Sequence, residues 1–253
     1  MAETTQNAFL GGRLTITQPV QGYRAGVDPV LLAASVPARE GETALDLGCG
    51  VGVAGLCLAA RVPGVAVTGL ELQPDYAALA RANATANGLP FELIEGDLAA
   101  MPEAIKSRRF DHVLVNPPYF DRKASRPAQH KGRETAMGEA TPLALWVEMA
   151  ARRAAPGGSV TFIHRAERLP DLLGHMAAHL GSLELLPLAP RRGREARLCL
   201  LRGRKEGRAN FRLHAPWILH AGDEHPGDRE NYTDATACVL RSGASLGFDG
   251  QAR

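Results

Sequence analysis

From residue 43 onward the chain alternates short apolar runs with longer amphipathic stretches, and this rhythm constrains the fold more than any other feature. Thr43–Leu47, Val65–Glu71, Phe91–Glu95, Asp111–Asn116 and Ser159–His164 read as strands. Val51–Arg61, Pro74–Asn87, Thr141–Ala154 and Ala166–Leu180 read as the helices between them. Strands that alternate with helices at this spacing form a parallel sheet with helices on both faces. Gly88 and Gly157-Gly158 stand where helices are expected to stop. After residue 182 the pattern changes to strand-like pieces, Leu183–Leu188 and Arg197–Leu201, which would close the sheet with an antiparallel edge. Ahead of residue 40 there is room for a strand pair and one helix, Asp28–Ser35. The expectation is one domain, with residues 1–40 as an extension packed on a cofactor pocket formed by residues 41–253.

The four cysteines show no paired spacing, and the N-terminus has no basic stretch followed by an apolar one. A reduced, cytoplasmic protein with no membrane contact is the expectation. Net charge is only +2, but it is segregated: residues 122–133 hold five Lys/Arg and no Asp/Glu, and residues 191–212 hold nine against two. Two basic segments on an acidic remainder are the footprint of a polyanion binder. Arg122, Lys123, Arg126, Lys131 and Arg133 in the first segment, and Arg191, Arg192 and Arg194 in the second, are the expected RNA contacts. Residues 121–140 are expected to be mobile before a substrate arrives. His175 and His179 are four apart on a helix, but no acid or thiol stands beside them, and no metal site is expected. Trp146 and Trp217 could stack on bases but read first as core residues, and Tyr23 could stack on a cofactor adenine or on the target base. The sequence assigns no oligomeric state.

The first chemical signal is ALDLGCGVGVAG, residues 44–55, where a strand ends in Asp46 and glycines follow at 48, 50 and 52 before a helix. Glycines let a ligand approach the backbone, and the helix N-terminus offers free N–H groups. Gly50, Gly52 and Gly55 also spell the dinucleotide fingerprint, with Glu71 about 20 residues further on. Register separates the two readings, because Gly48-Cys49 intervenes between the strand and Gly50. A carboxylate at a strand end repels a pyrophosphate but suits the ammonium of a methionine moiety. Glu71 can take ribose hydroxyls, and Asp97, in EGD after the third strand, can accept from an adenine amine. Three acids at successive strand ends favour S-adenosylmethionine. The residues expected to hold it are Asp46, Gly48, Cys49, Gly50 and Gly52, then Glu71 with Leu72, Asp97 with Leu98, and Asn116. Cys49 has no base beside it and reads as a small packing residue of that loop.

The second signal is Asn116-Pro117-Pro118-Tyr119, which closes the fourth strand. Two prolines stiffen the turn and contribute no N–H groups. An exocyclic amine on an aromatic ring is a poor nucleophile, since its lone pair is delocalised. The Asn116 side-chain oxygen and the Pro117 carbonyl can each accept one of its N–H groups, which frees the lone pair for attack on a sulfonium methyl. Tyr119 can stack on the base and hold it near the attack geometry. A glutamine amide would be served equally well by these residues.

With these motifs in place, the chain resembles the class I S-adenosylmethionine-dependent methyltransferases that act on amino groups, over roughly residues 43–120. That resemblance implies a Rossmann-like seven-stranded sheet, mostly parallel. GYRAGVDPVLLAAS, residues 22–35, and NYTDATACVL near the C-terminus are similar to the bacterial family that methylates N6 of adenosine 37 in a valine tRNA. By that similarity Arg24 and Asp28 would help to close the cofactor pocket, and a tRNA would be the partner. Val27 departs from the family, in which Thr is common. Two other readings stand beside it: methylation of a protein glutamine, which usually comes with a longer N-terminal domain than the 40 residues here, and a catalytically silent RNA-binding protein. DNA adenine methylation is disfavoured, because no separate target-recognition domain is visible.

Overall fold

The computed structural model of the chain describes residues 3–119, 141–222 and 231–252. The expectations for Arg122, Lys123, Arg126, Lys131 and Arg133, and for residues 121–140 as a segment, lie outside the described residues.

The central sheet is built from β3 (Thr43–Leu47), β4 (Ala66–Glu71), β5 (Phe91–Glu95), β6 (Phe110–Val115), β7 (Ala154–Arg165), β8 (Gly181–Ala189) and β9 (Leu198–Arg204). Their order is β8-β9-β7-β6-β3-β4-β5. The strands from β5 to β7 pair in parallel, and β9 is inserted antiparallel between β7 and β8. Two further pairs of residues, β10 (Arg212–Leu213) and β11 (Trp217–Ile218), run parallel to β8 on its free side. These seven strands are the expected ones, and the antiparallel strand lies one place in from the margin. Ala44 to Leu47 and His112 to Val115 are buried in unbroken runs, as strands covered on both faces must be.

One face of the sheet carries α1 (Asp28–Ser35), α2 (Val53–Arg61) and α3 (Pro74–Ala86); the other carries α4 (Glu103–Lys106), α5 (Leu143–Arg153) and α6 (Leu169–His179). Pro29 and Pro74 stand in the first turns of α1 and α3, where a missing N–H costs nothing. Gly88, at φ +62°, ends α3 as expected. Gly157-Gly158 does not end α5. The chain leaves Arg153 directly into β7, and the two glycines form an irregularity in its pairing with β6. A Cβ at Gly158 would lie 2.9 Å from the carbonyl oxygens of Ala155 and Asp111, so only glycine fits there. Among the described residues no helix is long and apolar enough to cross a membrane.

Ahead of the sheet, β1 (Thr4–Phe9) and β2 (Leu14–Pro19) form an antiparallel hairpin. Two asparagines one turn apart, Asn83 on α3 and Asn87 just past its end, grip it. Asn83 Oδ1 accepts from Thr17 N–H at 2.8 Å and its Nδ2 donates to Thr17 O at 3.1 Å. Asn87 repeats the pattern at Thr15, at 2.9 and 2.8 Å. Each side-chain amide thus serves the edge of β2 as a neighbouring peptide unit would. Asn83 also donates to Val51 O at 3.0 Å, in the turn after β3. The buried Asn83 therefore ties the hairpin, α3 and that turn together. Asn83→Ala is expected to cost about 2–3 kcal/mol in denaturant unfolding, because buried backbone groups lose their partners; a change within about 0.5 kcal/mol would contradict this assignment.

Candidate active site

The carboxyl ends of β3, β4, β5 and β6 open on a cavity of about 640 Å³. The turn from β3 to α2 forms one wall. Gly48, Gly50 and Gly52 take φ of +74°, +57° and +87°, a region that side chains disfavour. At Gly48 the space is closed as well, since a Cβ would lie 2.5 Å from the Trp146 ring.

Neighbouring groups hold this turn from outside. Gly48 and Cys49 both donate their N–H to Leu70 O, at 2.8 and 2.9 Å. Gly50 N–H donates to Glu71 Oε2 at 2.8 Å, and Gln73 N–H to Glu71 Oε1 at the same distance. Glu71 lines the cavity, and burial raises its pKa against the opposing pull of those N–H groups. Its remaining lone pairs are open to a hydroxyl-bearing ligand. Asp97 also lines the cavity, while its Oδ1 accepts from Ala99 N–H at 2.8 Å. Leu72, 52% exposed despite being apolar, and the buried Leu98 add two hydrophobic surfaces beside these acids.

Asn116, Pro117, Pro118 and Tyr119 line the same cavity. Asn116 Nδ2 donates to Tyr23 Oη at 3.2 Å, and Tyr119 Oη–H donates to Asp28 Oδ2 at 2.7 Å. Burial and the Asp28 charge push both phenols up, so both stay neutral. The Tyr119 ring is backed by His164, with centroids 5.3 Å apart, and the Arg165 guanidinium lies 5.8 Å from its centre. Burial lowers His164 to about 4, which keeps it neutral, and its Nδ1 accepts from Arg165 N–H.

Several expected site residues are placed otherwise. Asp46 is 2% exposed and does not line the cavity; its carboxylate accepts from Gly55 N–H at 2.8 Å and so holds the first turn of α2. Cys49 and Gly52 face away too, Cys49 Sγ towards Gly69 and Gly52 towards Ala80 and Phe91. Arg24 and Asp28 line the cavity, but the Arg24 guanidinium is committed to Thr5, Asn7 and Pro19 of the hairpin. Arg191 is buried, with its guanidinium donating to the carbonyls of Ala221 and Gly222, so it pins that loop.

The second basic segment also does not form one patch. Arg192 and Arg194 are exposed between β8 and β9. Arg202 is spent on the buried Glu184 at 2.6 Å, and Arg212 bonds the same carboxylate. Because β9 runs antiparallel, Leu198 pairs with Arg165 at the cavity end and Arg204 with Ser159 at the opposite end. Residues 204–212 therefore lie away from the cavity.

Two further lining residues are Trp146 and Tyr76, and only the second gave no sequence signal. Trp146 packs in the core and against Gly48, and it also faces the cavity. Tyr76, on α3, clasps the Tyr23 backbone: its Oη accepts from Tyr23 N–H at 2.9 Å and donates to Tyr23 O at 3.3 Å.

A family profile described as "Methyltransferase small domain" matches residues 25–167. A tRNA1(Val) (adenine(37)-N6)-methyltransferase of Porphyromonas gingivalis is 34% identical across 66% of this chain and 68% of that protein. The similarly described protein of Pedobacter heparinus is also 34% identical, across 50% and 54% of the two chains. Among solved structures, a predicted O-methyltransferase of Agrobacterium tumefaciens, protein Atu636, superposes with a TM-score of 0.68 at 25% identity, over 87% of this chain and 98% of its own. The T. thermophilus 16S rRNA N2 G1207 methyltransferase, solved with AdoMet and guanosine, shares the fold, with a TM-score of 0.56 at 20% identity over 80% and 50%.

Burial, opposed by Gly55 N–H, raises Asp46 from the ordinary 3.8 to about 7. The folded protein then keeps this proton where the unfolded chain releases it, so the contribution is full below about pH 4 and is lost as pH rises to 7. Wild-type unfolding free energy, measured from pH 4 to 8, is expected to decline relative to Asp46→Asn over that window; parallel curves would contradict the shift.

Proposed function

The chain belongs to the methyltransferase small-domain family, and on that premise we propose that it moves a methyl group from S-adenosylmethionine to N6 of an adenosine in tRNA. The position named for its relatives, adenine 37 of a valine tRNA, is the substrate this reading adopts. The observation that carries it is the shared cavity: Asn116-Pro117-Pro118-Tyr119 faces the same space as Glu71, Asp97 and the glycine turn.

The residues present suit the cofactor. The turn at Gly48 and Gly50 leaves room for a methionine moiety, Glu71 has lone pairs for ribose hydroxyls, and Asp97 can accept from an adenine amine. Leu72 and Leu98 offer apolar faces to the adenine ring. Trp146 behind Gly48 and the Tyr23 ring beside Gly50 limit how far the ligand can move. When bound, S-adenosylmethionine supplies an electrophilic methyl group on a sulfonium.

The chain's own groups act on the amine. Asn116 Oδ1 and the Pro117 carbonyl accept its two N–H groups, which draws the nitrogen lone pair out of conjugation with the ring. Tyr119, fixed at its hydroxyl by Asp28 and backed by His164, offers a flat surface to the target base. Base–aromatic stacking of this kind contributes about 1–3 kcal/mol. A base must leave its own stack to enter a cavity of this kind, which suits an RNA loop. Arg192 and Arg194 are exposed at this end of the sheet, and in this reading they meet phosphates.

Asn116→Ala is expected to lower kcat for unmodified tRNA about 100-fold or more, as when an oriented polar partner of the transition state is removed. Cofactor affinity by calorimetry should stay within about threefold, since Asn116 acts on the acceptor. Near-normal turnover, or loss of cofactor binding with turnover unchanged per bound complex, would contradict this role.

A further inference from the structure

The C-terminal stretch NYTDATACVL contributes no residue to the cavity. It folds instead onto β11 and the loop that follows. Thr233 N–H donates to Leu219 O at 3.0 Å, and Thr233 Oγ1 caps α7 (Asp234–Ala237) by accepting from Thr236 N–H. The buried Trp217 Nε1 donates to Thr236 Oγ1 at 2.9 Å. Asn231 holds Ala221 twice: its carbonyl accepts from Ala221 N–H at 2.9 Å, and its Nδ2 donates to Ala221 O at 2.7 Å. This brace supports the Arg191 side chain, whose guanidinium donates to the carbonyl of Ala221 and, at 3.1 Å, to that of Gly222.

Arg191 opens the turn between β8 and β9. Its carbonyl accepts from Arg194 N–H at 3.2 Å, and Gly193 takes φ of +71° with open space around it. Arg192 and Arg194 flank that glycine and are exposed, as is Arg197, with Glu195 as the acid among residues 190–197. Arg191 itself is 7% exposed. Its partners are carbonyl oxygens and not carboxylates, and its Nη2 has no partner among the described residues. A buried cation without a counter-charge adds its field to the exposed arginines beside it, which favours an anion at the turn. The turn lies at the cavity end of the sheet. Ala166 N–H donates to Arg197 O at 2.9 Å, next to Arg165, whose guanidinium is 5.8 Å from the Tyr119 ring centre. From β6 to β8 the sheet takes three strand spacings, about 14 Å. An RNA strand whose target base rests on Tyr119 brings its flanking phosphates within that reach.

We propose that Arg191 is a positioning residue for RNA: braced by the C-terminal segment, it holds the Arg192-Gly193-Arg194 turn in the shape that meets phosphates flanking the target nucleotide. This rests on reading the cavity as a site that acts on RNA. A turn already fixed loses less freedom on binding than a loose one does.

The test is binding of unmodified tRNA to the full chain, read by fluorescence anisotropy over a range of salt. S-adenosylhomocysteine affinity, methyl transfer and thermal unfolding are measured on each variant. Arg192→Ala with Arg194→Ala is expected to weaken tRNA binding about 10-fold or more and to lower the salt slope by about 1.4, two contacts at about 0.7 each. Arg191→Met is expected to weaken it about 5- to 20-fold, with kcat at saturating tRNA within about twofold. In the background lacking Arg192 and Arg194, Arg191→Met is expected to cost less than about twofold, because the groups it positions are gone. Asn231→Ala loosens the same loop without changing charge, and carries the cycle if Arg191→Met does not fold. It is expected to cost about threefold in the wild-type background and nothing measurable in the other. Equal losses in both backgrounds, unchanged binding in Arg191→Met or in the double alanine variant, or a matching fall in S-adenosylhomocysteine affinity overturns the proposal. A wild type that binds no tRNA overturns it together with the RNA reading, whereas a wild type that binds and methylates tRNA but gives any of those results removes only the role of Arg191.

Discussion

The turn between β3 and α2 is built on three glycines, and the arrangement of the site follows from the neighbouring groups that hold it. Three glycines at positive φ give the backbone access to a ligand, but they are also the residues that lose most entropy on folding. Leu70 O collects two of the turn's N–H groups, Glu71 a third, and Asp46 fixes Gly55 at the start of α2. The end of β4 therefore shapes the turn and also places the Glu71 carboxylate on the cavity wall. A ligand binding there meets a surface that is already formed, which reduces the ordering cost of binding.

The same economy links the N-terminal segment to the chemistry. Asn83 connects the turn at Val51 to β2, and Asn87 extends the grip by one turn of α3. With the hairpin anchored, residues 22–28 run along the cavity, and they meet the Asn-Pro-Pro-Tyr segment at both ends: Tyr23 on Asn116 and Asp28 on Tyr119. The carboxylate of Asp28 is buried enough that its pKa rises, and it stays in place because the Tyr119 hydroxyl donates to it. The stiffness of the two prolines thus has a counterpart in side-chain bonds from a distant part of the chain.

What the sequence made legible is what depends on local spacing. The strand and helix pattern, the glycine turn, Glu71 and Asp97 at strand ends, and Asn116 to Tyr119 after β6 are all set by short stretches whose periodicity shows in the residues themselves. Contacts between distant residues were not legible. Asn83 and Asn87 look like ordinary polar positions of a helix, and nothing near Tyr23 points to a partner 93 residues away. Charge counting takes every arginine as exposed, whereas the fold commits some to its own groups: Arg191 serves a loop and Arg202 serves Glu184. Asp46 ends a strand beside glycines, the place where a ligand-binding acid is expected. Its alternating position on β3 turns the carboxylate into the helix layer, where Gly55 N–H receives it. Gly157-Gly158 was read as a helix stop, a role that glycine pairs share with strand irregularities and that only the pairing with β6 distinguishes.

The central claim is that this cavity delivers a methyl group to an adenine amine in RNA. The most direct test is transfer of labelled methyl from S-adenosylmethionine to a mixture of unmodified tRNA and protein extract, followed by nucleoside and amino-acid mass spectrometry. The account predicts label in N6-methyladenosine from the tRNA fraction. Label confined to protein glutamine would contradict the substrate while keeping the chemistry of Asn116, and no transfer to either fraction would contradict both.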